Sequence, residues 1–346
     1  MEKEQIRLED MKKLEQCVTN KEELYGKTIL VTGATGMLAQ YCIHFLMYLN
    51  RAEHANIKVV ALGRNKEKMK TMFGEYVSCT EFEMLLQDVC EPIHYDGEIQ
   101  YMIHAAGSSS PYYIKNVPLD IINANYLGTR NVLELARKNP VRNIAFTSTR
   151  EIYGEVKGKE WITEQDMGIL NPLDARSCYP ESKRMAEQLF RSYYQQYQVP
   201  FVITRIAHSY GPGMIIDNDG RVMSDFIRDV VHSRDIVMTG DGMAVRAFCY
   251  VVDAVAGIFI SLLRGTVGEA YNIANEEEPI LLKDLAEKLV HLFPERKLLA
   301  VYQKTQDQSG YCAYKRVGLS TDKLRALGWR PQISLEEGLY RTVMSF

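Results

Sequence analysis

Tyr179 and Lys183 stand four residues apart in the segment Tyr179-Pro-Glu-Ser-Lys183. A helical pattern runs on from Arg184 to Tyr194, and residues i and i+4 of one helix share a face. An ammonium beside a phenol favours the phenolate. The pair can therefore work as a base at neutral pH, although a phenol ordinarily titrates near ~10. On an arbitrary helix the same spacing gives a surface pair, so the motif takes its meaning from position. Thirty residues upstream, Thr147-Ser-Thr149 closes an apolar run, where a hydroxyl can hold the oxygen that Tyr179 deprotonates.

A second chemical signal lies near the start. Gly33, Gly36 and Ala39 follow the spacing G-x-x-G-x-x-[GA], directly after the β-branched run Lys27-Thr-Ile-Leu-Val-Thr32 and before about ten residues of helical pattern. Glycines let the backbone turn tightly against a pyrophosphate, and the helix start behind them offers N–H groups and a positive dipole end. The strand–turn–helix setting lifts this above an ordinary glycine turn. A dinucleotide cofactor is expected. Sites for NAD usually carry an acid at the end of the second strand; here Gly63 and Arg64 stand there, as a 2′-phosphate of NADP would suit. Asp88 falls where it can cap the adenine end. NAD and NADP both stay open.

The elements that must position these residues are legible as alternating runs. Buried strands are predicted at 27–32, 57–62, 101–106 and 143–148, with helical segments between them, one of which runs from Thr129 to Lys138. That rhythm gives an α/β protein, a Rossmann-type doubly wound parallel sheet, with a smaller C-terminal α/β substrate lobe. The expected division is an N-terminal helical leader at 1–25, a dinucleotide-binding domain at 26–210 and mainly the substrate lobe at 211–346.

Composition removes other classes. The chain has 346 residues, 46% hydrophobic and 25% charged, with a net charge of −3, which excludes disorder and a general nucleic-acid footprint. No apolar run approaches the ~20 residues of a membrane span, and the charged start MEKEQIRLEDMKKLEQC is no secretory signal. Seven cysteines without C-x-x-C spacing read as reduced thiols, and His44, His54, His94, His232 and His291 show no ligand spacing. A cytoplasmic protein without a bound metal, nucleic acid or membrane as partner is expected. His104, at a strand end, reads as structural. Tyr193, Tyr194, Tyr197 and Phe201 read as core packing.

Several segments together resemble a family. Gly33-x-x-Gly36-x-x-Ala39, His104-Ala-Ala-Gly107, Ser148-Thr-Arg-Glu-Ile-Tyr-Gly154, Tyr179-x-x-x-Lys183, Arg205-Ile-Ala-His-Ser-Tyr-Gly-Pro212, Tyr250-Val-Val-Asp253 and Leu327-Gly-Trp-Arg-Pro331 look like the extended short-chain dehydrogenase/reductases, the NAD-dependent epimerase/dehydratase group. Within it, Asp219-Gly-Arg-Val-Met-Ser-Asp-Phe226 and Val245-Arg-Ala-Phe248 are most similar to the UDP-glucuronate decarboxylases. The resemblance implies Thr149, Tyr179 and Lys183 as a catalytic triad, with Glu151 and Arg246 beside the reacting sugar. It implies a cofactor set of Gly33, Thr35, Gly36, Met37, Leu38, Arg64, Asp88, Val89, Ala105, Ala106, Gly107 and Asn125, together with Tyr179 and Lys183. Ser109, Arg150, His208, Arg221, Arg246 and Arg316 would meet a UDP-linked nucleotide sugar, and a homodimer built on two helices is implied.

The sequence also departs from that pattern. Arg150 stands where the decarboxylases have Ser and the 4,6-dehydratases Asp; the missing acid counts against 4,6-dehydration. His208 replaces an Asn that contacts the sugar diphosphate, Gly213 replaces an Arg, and Gly63 replaces the ribose acid. The expected activity is nucleotide-sugar modification through a 4-keto intermediate, by decarboxylation or 4-epimerisation. A reductase that consumes NADPH on a keto-sugar, and a non-catalytic dinucleotide sensor, are the alternatives.

Overall fold

The computed structural model describes residues 2–238, 240–303 and 317–346. Its main sheet has seven strands: β1 (Thr28–Thr32), β2 (Lys58–Gly63), β3 (Phe82–Leu86), β4 (Tyr101–His104), β5 (Asn143–Thr149), β6 (Val202–Ile206) and β7 (Ala270–Ile273). They run parallel in the order β3-β2-β1-β4-β5-β6-β7. This is a doubly wound sheet whose order reverses between β1 and β4, the place where such sheets open a ligand crevice. β1, β4 and β5 are almost wholly buried, as strands covered by helices on both faces must be.

The helices are α1 (Glu2–Cys17), α2 (Met37–Glu53), α3 (Lys66–Phe73), α4 (Pro111–Asn116), α5 (Pro118–Arg137), α6 (Cys178–Tyr197), α7 (Val222–Val231), α8 (Val251–Arg264), α9 (Leu282–Leu292), α10 (Asp322–Ala326) and α11 (Leu335–Met344). The apolar residues of β1, α2 and α8 form the larger core; those of β4, α5 and α6 form a second core on the opposite face. Three strands were missed by sequence pattern. β6 carries Arg205, a charge that masks a buried strand until its bidentate partner Glu187 is seen at 2.7 and 3.2 Å. β3 lies at one edge of the sheet and is only half-buried along most of its length, which weakens its apolar signal; β7, at the other edge, is buried but only four residues long and carries Asn272.

The chain beyond residue 211 feeds both the sheet, through β7 and the covering helix α8, and the wall of the crevice. Four two-stranded pairs build the rest: Ser209–Tyr210 with Cys249–Tyr250, Val245–Arg246 with Ile280–Leu281, Ile236–Met238 with Ala300–Tyr302, and Trp161–Ile162 with Gly318–Leu319.

The N-terminal helix is bolted to the C-terminal one. Asp10 on α1 is fully buried, accepts hydrogen bonds from the Tyr41 and Tyr250 hydroxyls at 2.9 Å each, and pairs with Arg341 of α11. Burial raises the Asp10 carboxyl above its ordinary range, against the pull of Arg341 and the two phenols. Replacing one member of such a network strands the others in a low-dielectric core. Asp10→Ala is expected to lower unfolding free energy by about 3–5 kcal/mol, read as a lower urea midpoint at unchanged slope.

Candidate functional site

The crevice of about 400 Å³ opens at the carboxyl ends of the strands, between the sheet and the segments after residue 206. Its floor begins at the loop after β1. Gly33 has φ +67°, and a Cβ there would stand 2.7 Å from the Ala105 carbonyl oxygen, so only glycine lets the loops after β1 and β4 touch. The Gly36 N–H closes the turn on the Gly33 carbonyl at 2.8 Å, and Gly36 then starts α2 without any side-chain cap. The first N–H groups of a helix lack partners within it. Bare backbone, free donors and a positive dipole end together fit the pyrophosphate of a dinucleotide. Across the crevice, Gly107 at φ +130° leaves room beside Asn125, whose fully buried Oδ1 has no hydrogen-bond partner. The residues present fit the cofactor.

Thr35, Gly36, Met37, Leu38, Ala105 and Gly107 line this crevice. Ala106 and Val89 are buried behind it, Val89 packing against Gly128 of α5. Arg64 and Asp88 stand at the ends of β2 and β3 and pair at 3.3 Å. The Cys90 N–H, then Arg64, hold the Asp88 carboxyl below its ordinary range. A carboxylate is absent after β2, and the acid at the end of β3, Asp88, engages Arg64. His104 is buried between the Thr32 and Thr129 hydroxyls at 2.7 and 3.1 Å, a structural post.

The opposite wall is made by β5 and α6. Thr149 ends β5, and it lines the same crevice wall as Tyr179 at the start of α6. One turn further, Lys183 is buried; its ammonium donates to the Thr147 carbonyl at 2.8 Å and stands 4.6 Å over the Phe146 ring. Between them, Ser182 accepts from Asn125 Nδ2 at 2.9 Å and donates to the Tyr179 carbonyl, tying α5 to α6. Burial pushes Lys183 down to about 7, against the pull of Glu187. Sequence spacing alone suggested a phenol pulled down by Lys183. The structure corrects this: burial, reinforced by the Glu151 carboxylate, raises Tyr179 well above its ordinary value, while Thr149, Arg221 and Arg176 act in the opposite direction.

The substrate side is rich in arginine. Glu151, in the 3₁₀ turn after β5, is gripped by both ends of Arg176 at 2.6 and 3.0 Å. Arg150 reaches His208 Nε2 at 3.3 Å and the Val317 carbonyl at 3.2 Å. Arg221 pairs with Oδ2 of buried Asp219, and the same oxygen accepts from the Ser224 hydroxyl at 2.6 Å. Arg246 donates to its own preceding carbonyl and faces the same crevice, as does Ser109. Arg316 falls outside the described residues. Arg176 and Asp219 were not singled out by sequence. Arg176 lies three residues before Tyr179, a proximity that was the available signal, but its partner is 25 residues away and emerges only on folding. Among the described residues, no group of His, Cys, Asp and Glu is placed to hold a metal, and no helix is long and apolar enough to cross a membrane.

Comparison with known proteins places this geometry among relatives. The sequence pattern described as the NAD dependent epimerase/dehydratase family matches residues 29–274. UDP-glucuronic acid decarboxylase 6 of Arabidopsis thaliana is 33% identical over 311 residues, covering 90% of this chain and 86% of that protein. UDP-glucuronic acid decarboxylase 1 of Xenopus tropicalis is 30% identical over 345 residues, covering 98% and 78%. In fold, an epimerase of Methanothermobacter thermautotrophicus superposes with a TM-score of 0.80 at 23% identity, over 97% of this chain and 95% of that one. UDP-glucuronic acid 4-epimerase of Bacillus cereus, solved with UDP-glucuronic acid and NAD, gives 0.75 at 21% identity, over 92% and 98%.

The depressed Lys183 titration has a signed consequence. Its folded value near 7 lies below the ordinary 10.5, so the unfolded chain binds the extra proton between those two pH values. Stability from this group therefore rises with pH across that window, and the full penalty stands below pH 7. Lys183→Met is expected to melt above the parent at pH 6, with the gap shrinking steadily towards pH 10; parallel thermal melts measure it.

Proposed function

The chain belongs to the NAD dependent epimerase/dehydratase family, and from that premise we propose that it decarboxylates a UDP-linked glucuronate through a 4-keto intermediate. The observation that carries the reading is that Thr149 at the end of β5, Tyr179 and Lys183 on α6 and the glycine loop after β1 all line one crevice, with Lys183 held by the Thr147 carbonyl. The choice of substrate is supported by the decarboxylases, 30–33% identical, that match nearly the whole chain.

When bound, the nicotinamide supplies reversible acceptance of the hydride on C4, so the cycle carries no net oxidation and NAD is regenerated. Tyr179, as phenolate, takes the C4 hydroxyl proton while Thr149 hydrogen-bonds the same oxygen. The charges of Arg221 and Arg176 favour that phenolate against burial, while Lys183, one turn on along α6, is held by the Thr147 carbonyl. The C6 carboxylate is then β to a ketone. The C5–C6 bond breaks, its electron pair moves to the C4 oxygen, and CO2 leaves. Thr149 and the now protonated Tyr179 donate to that developing oxyanion, which the low-dielectric site makes effective. A proton from water enters at C5, and Tyr179 returns its proton to the C4 oxygen as the ketone is reduced. Glu151 and Arg246 line the same crevice; in this reading they orient the ring.

Arg64, held by Asp88, is not offered alone to a 2′-phosphate, which favours NAD over the NADPH-consuming alternative. The test supplies UDP-glucuronate with catalytic NAD and follows CO2 and sugar nucleotides by NMR. CO2 with a UDP-pentose is expected. Retained C6 with an inverted C4 would make the protein a 4-epimerase instead, and stoichiometric NADPH consumption would make it a reductase. Tyr179→Phe is expected to lower kcat by ~10²- to 10⁴-fold while leaving NAD affinity near the parent's.

A further inference from the structure

We infer that Asp219 is a positioning residue: it holds Arg221 by Nε so that the end-on fork of the guanidinium meets a diphosphate entering the crevice. The inference rests on the reading above only for the ligands, a UDP-linked sugar and NAD, each of which carries a diphosphate.

Arg221 occupies the cap position of α7 and lines the crevice together with Val222, Met223 and Ser224. It makes no side-chain hydrogen bond to the helix it caps. The first N–H groups of α7 have no partner within the helix, and with the guanidinium beside them they favour an anion at this corner. A guanidinium carries five N–H groups. The one on Nε donates to Asp219 Oδ2, and among the described residues Nη1 and Nη2 meet no hydrogen-bond partner. Those two nitrogens form the planar fork that binds phosphate oxygens through paired hydrogen bonds.

Asp219 can aim Arg221 because it is itself fixed from both walls of the crevice. Its Oδ2 also accepts from the Ser224 hydroxyl of α7 at 2.6 Å. Its backbone carbonyl accepts from the Ser110 hydroxyl at 2.8 Å and from the Tyr112 N–H at 3.3 Å, in the segment that follows β4. Gly220, at φ +81°, lies against the same segment, where a Cβ would stand 3.4 Å from that of Pro111. The side chain and the backbone of one residue thus join the chain after β4 to the start of α7. The arrangement is costly: Asp219 is 1% exposed, and its Oδ1 has no hydrogen-bond partner among the described residues. A buried ion pair adds little net stability, so what Asp219 contributes is the direction of Arg221.

The test measures binding by calorimetry, which needs no turnover. UDP and uridine are titrated into NAD-loaded protein, and NAD into protein freed of nucleotide, with and without Asp219→Asn. The amide keeps the shape and one acceptor oxygen while removing the charge. The expected result is a ~10-fold loss of affinity for a diphosphate ligand, with uridine, which has no phosphate, within about twofold of the parent. A loss confined to UDP names the sugar nucleotide as the source of the diphosphate, and a loss confined to NAD names the cofactor. Arg221→Gln is expected to weaken the same ligand, and Asp219→Asn to add little on that background, because Asp219 acts through Arg221. Should Asp219→Asn fail to fold, Ser224→Ala, which loosens Asp219 from α7, is expected to weaken the same ligand by less. Unchanged affinity for both UDP and NAD overturns the inference, as does an equal loss for uridine and UDP, or additive losses in the double variant. Failure of the parent to release CO2 from UDP-glucuronate would instead overturn decarboxylation, leaving these binding comparisons to judge Asp219 separately.

Discussion

One hydrogen bond, from the buried Lys183 ammonium to the Thr147 carbonyl, holds the reactive end of the molecule together. A charge in that position is expensive to bury, and the carbonyl at the end of β5 with the Phe146 face beneath it is what makes it tolerable. Together with Glu187 of α6, which binds Ser148 on β5 and Arg205 on β6, the contact fixes the rotation of α6 against the sheet. With the rotation set, Tyr179 one turn earlier must face Thr149, and Ser182 must face Asn125 on α5. The pairing of α5 with α6 and the placement of the phenol are thus one geometric consequence, not separate features.

The parts legible in the sequence are those in which residues near in the chain act together. The Gly33–Ala39 loop and the Tyr179–Lys183 pair each lie within one turn of chain, and their strand–turn–helix settings carry a pattern of period and glycine placement. Contacts formed only by folding were not legible. Arg176 reaches back 25 residues to Glu151, and Asp10 reaches 331 residues to Arg341, with nothing in either local pattern to announce a partner. The same applies to β6, where a charged residue in a strand contradicts the apolar signal until Glu187 of α6 is brought beside it. The Tyr179 titration fails for a related reason. Spacing reports that a lysine is near, whereas burial, which dominates, is a property of the whole fold.

Charge in the crevice follows a consistent logic. Its acids are matched within the wall itself, Glu151 by Arg176 and Asp219 by Arg221, so neither presents a bare negative charge to a ligand. Arg150 and Arg246 face the same space. A nucleotide sugar brings a diphosphate at one end, and a uronate brings a further carboxylate at the other. Within such a wall, hydrogen bonds from the arginines to an anion gain strength as water is displaced.

The departures from the family pattern argue for a working enzyme because each is answered by a second residue. His208, in place of an Asn, meets Arg150, in place of a Ser. Gly213, in place of an Arg, sits at φ +84° against the Gln40 side chain, which occupies the space that any Cβ at 213 would enter. Gly63, in place of the ribose acid, receives the Met69 sulfur, which would stand 2.6 Å from a Cβ there, while Asp88 at the end of the adjacent strand engages Arg64. Drift in a non-catalytic relative would scatter unmatched changes around a decaying site. In this fold each departure is instead packed or paired, around Thr149, Tyr179 and Lys183 in one crevice.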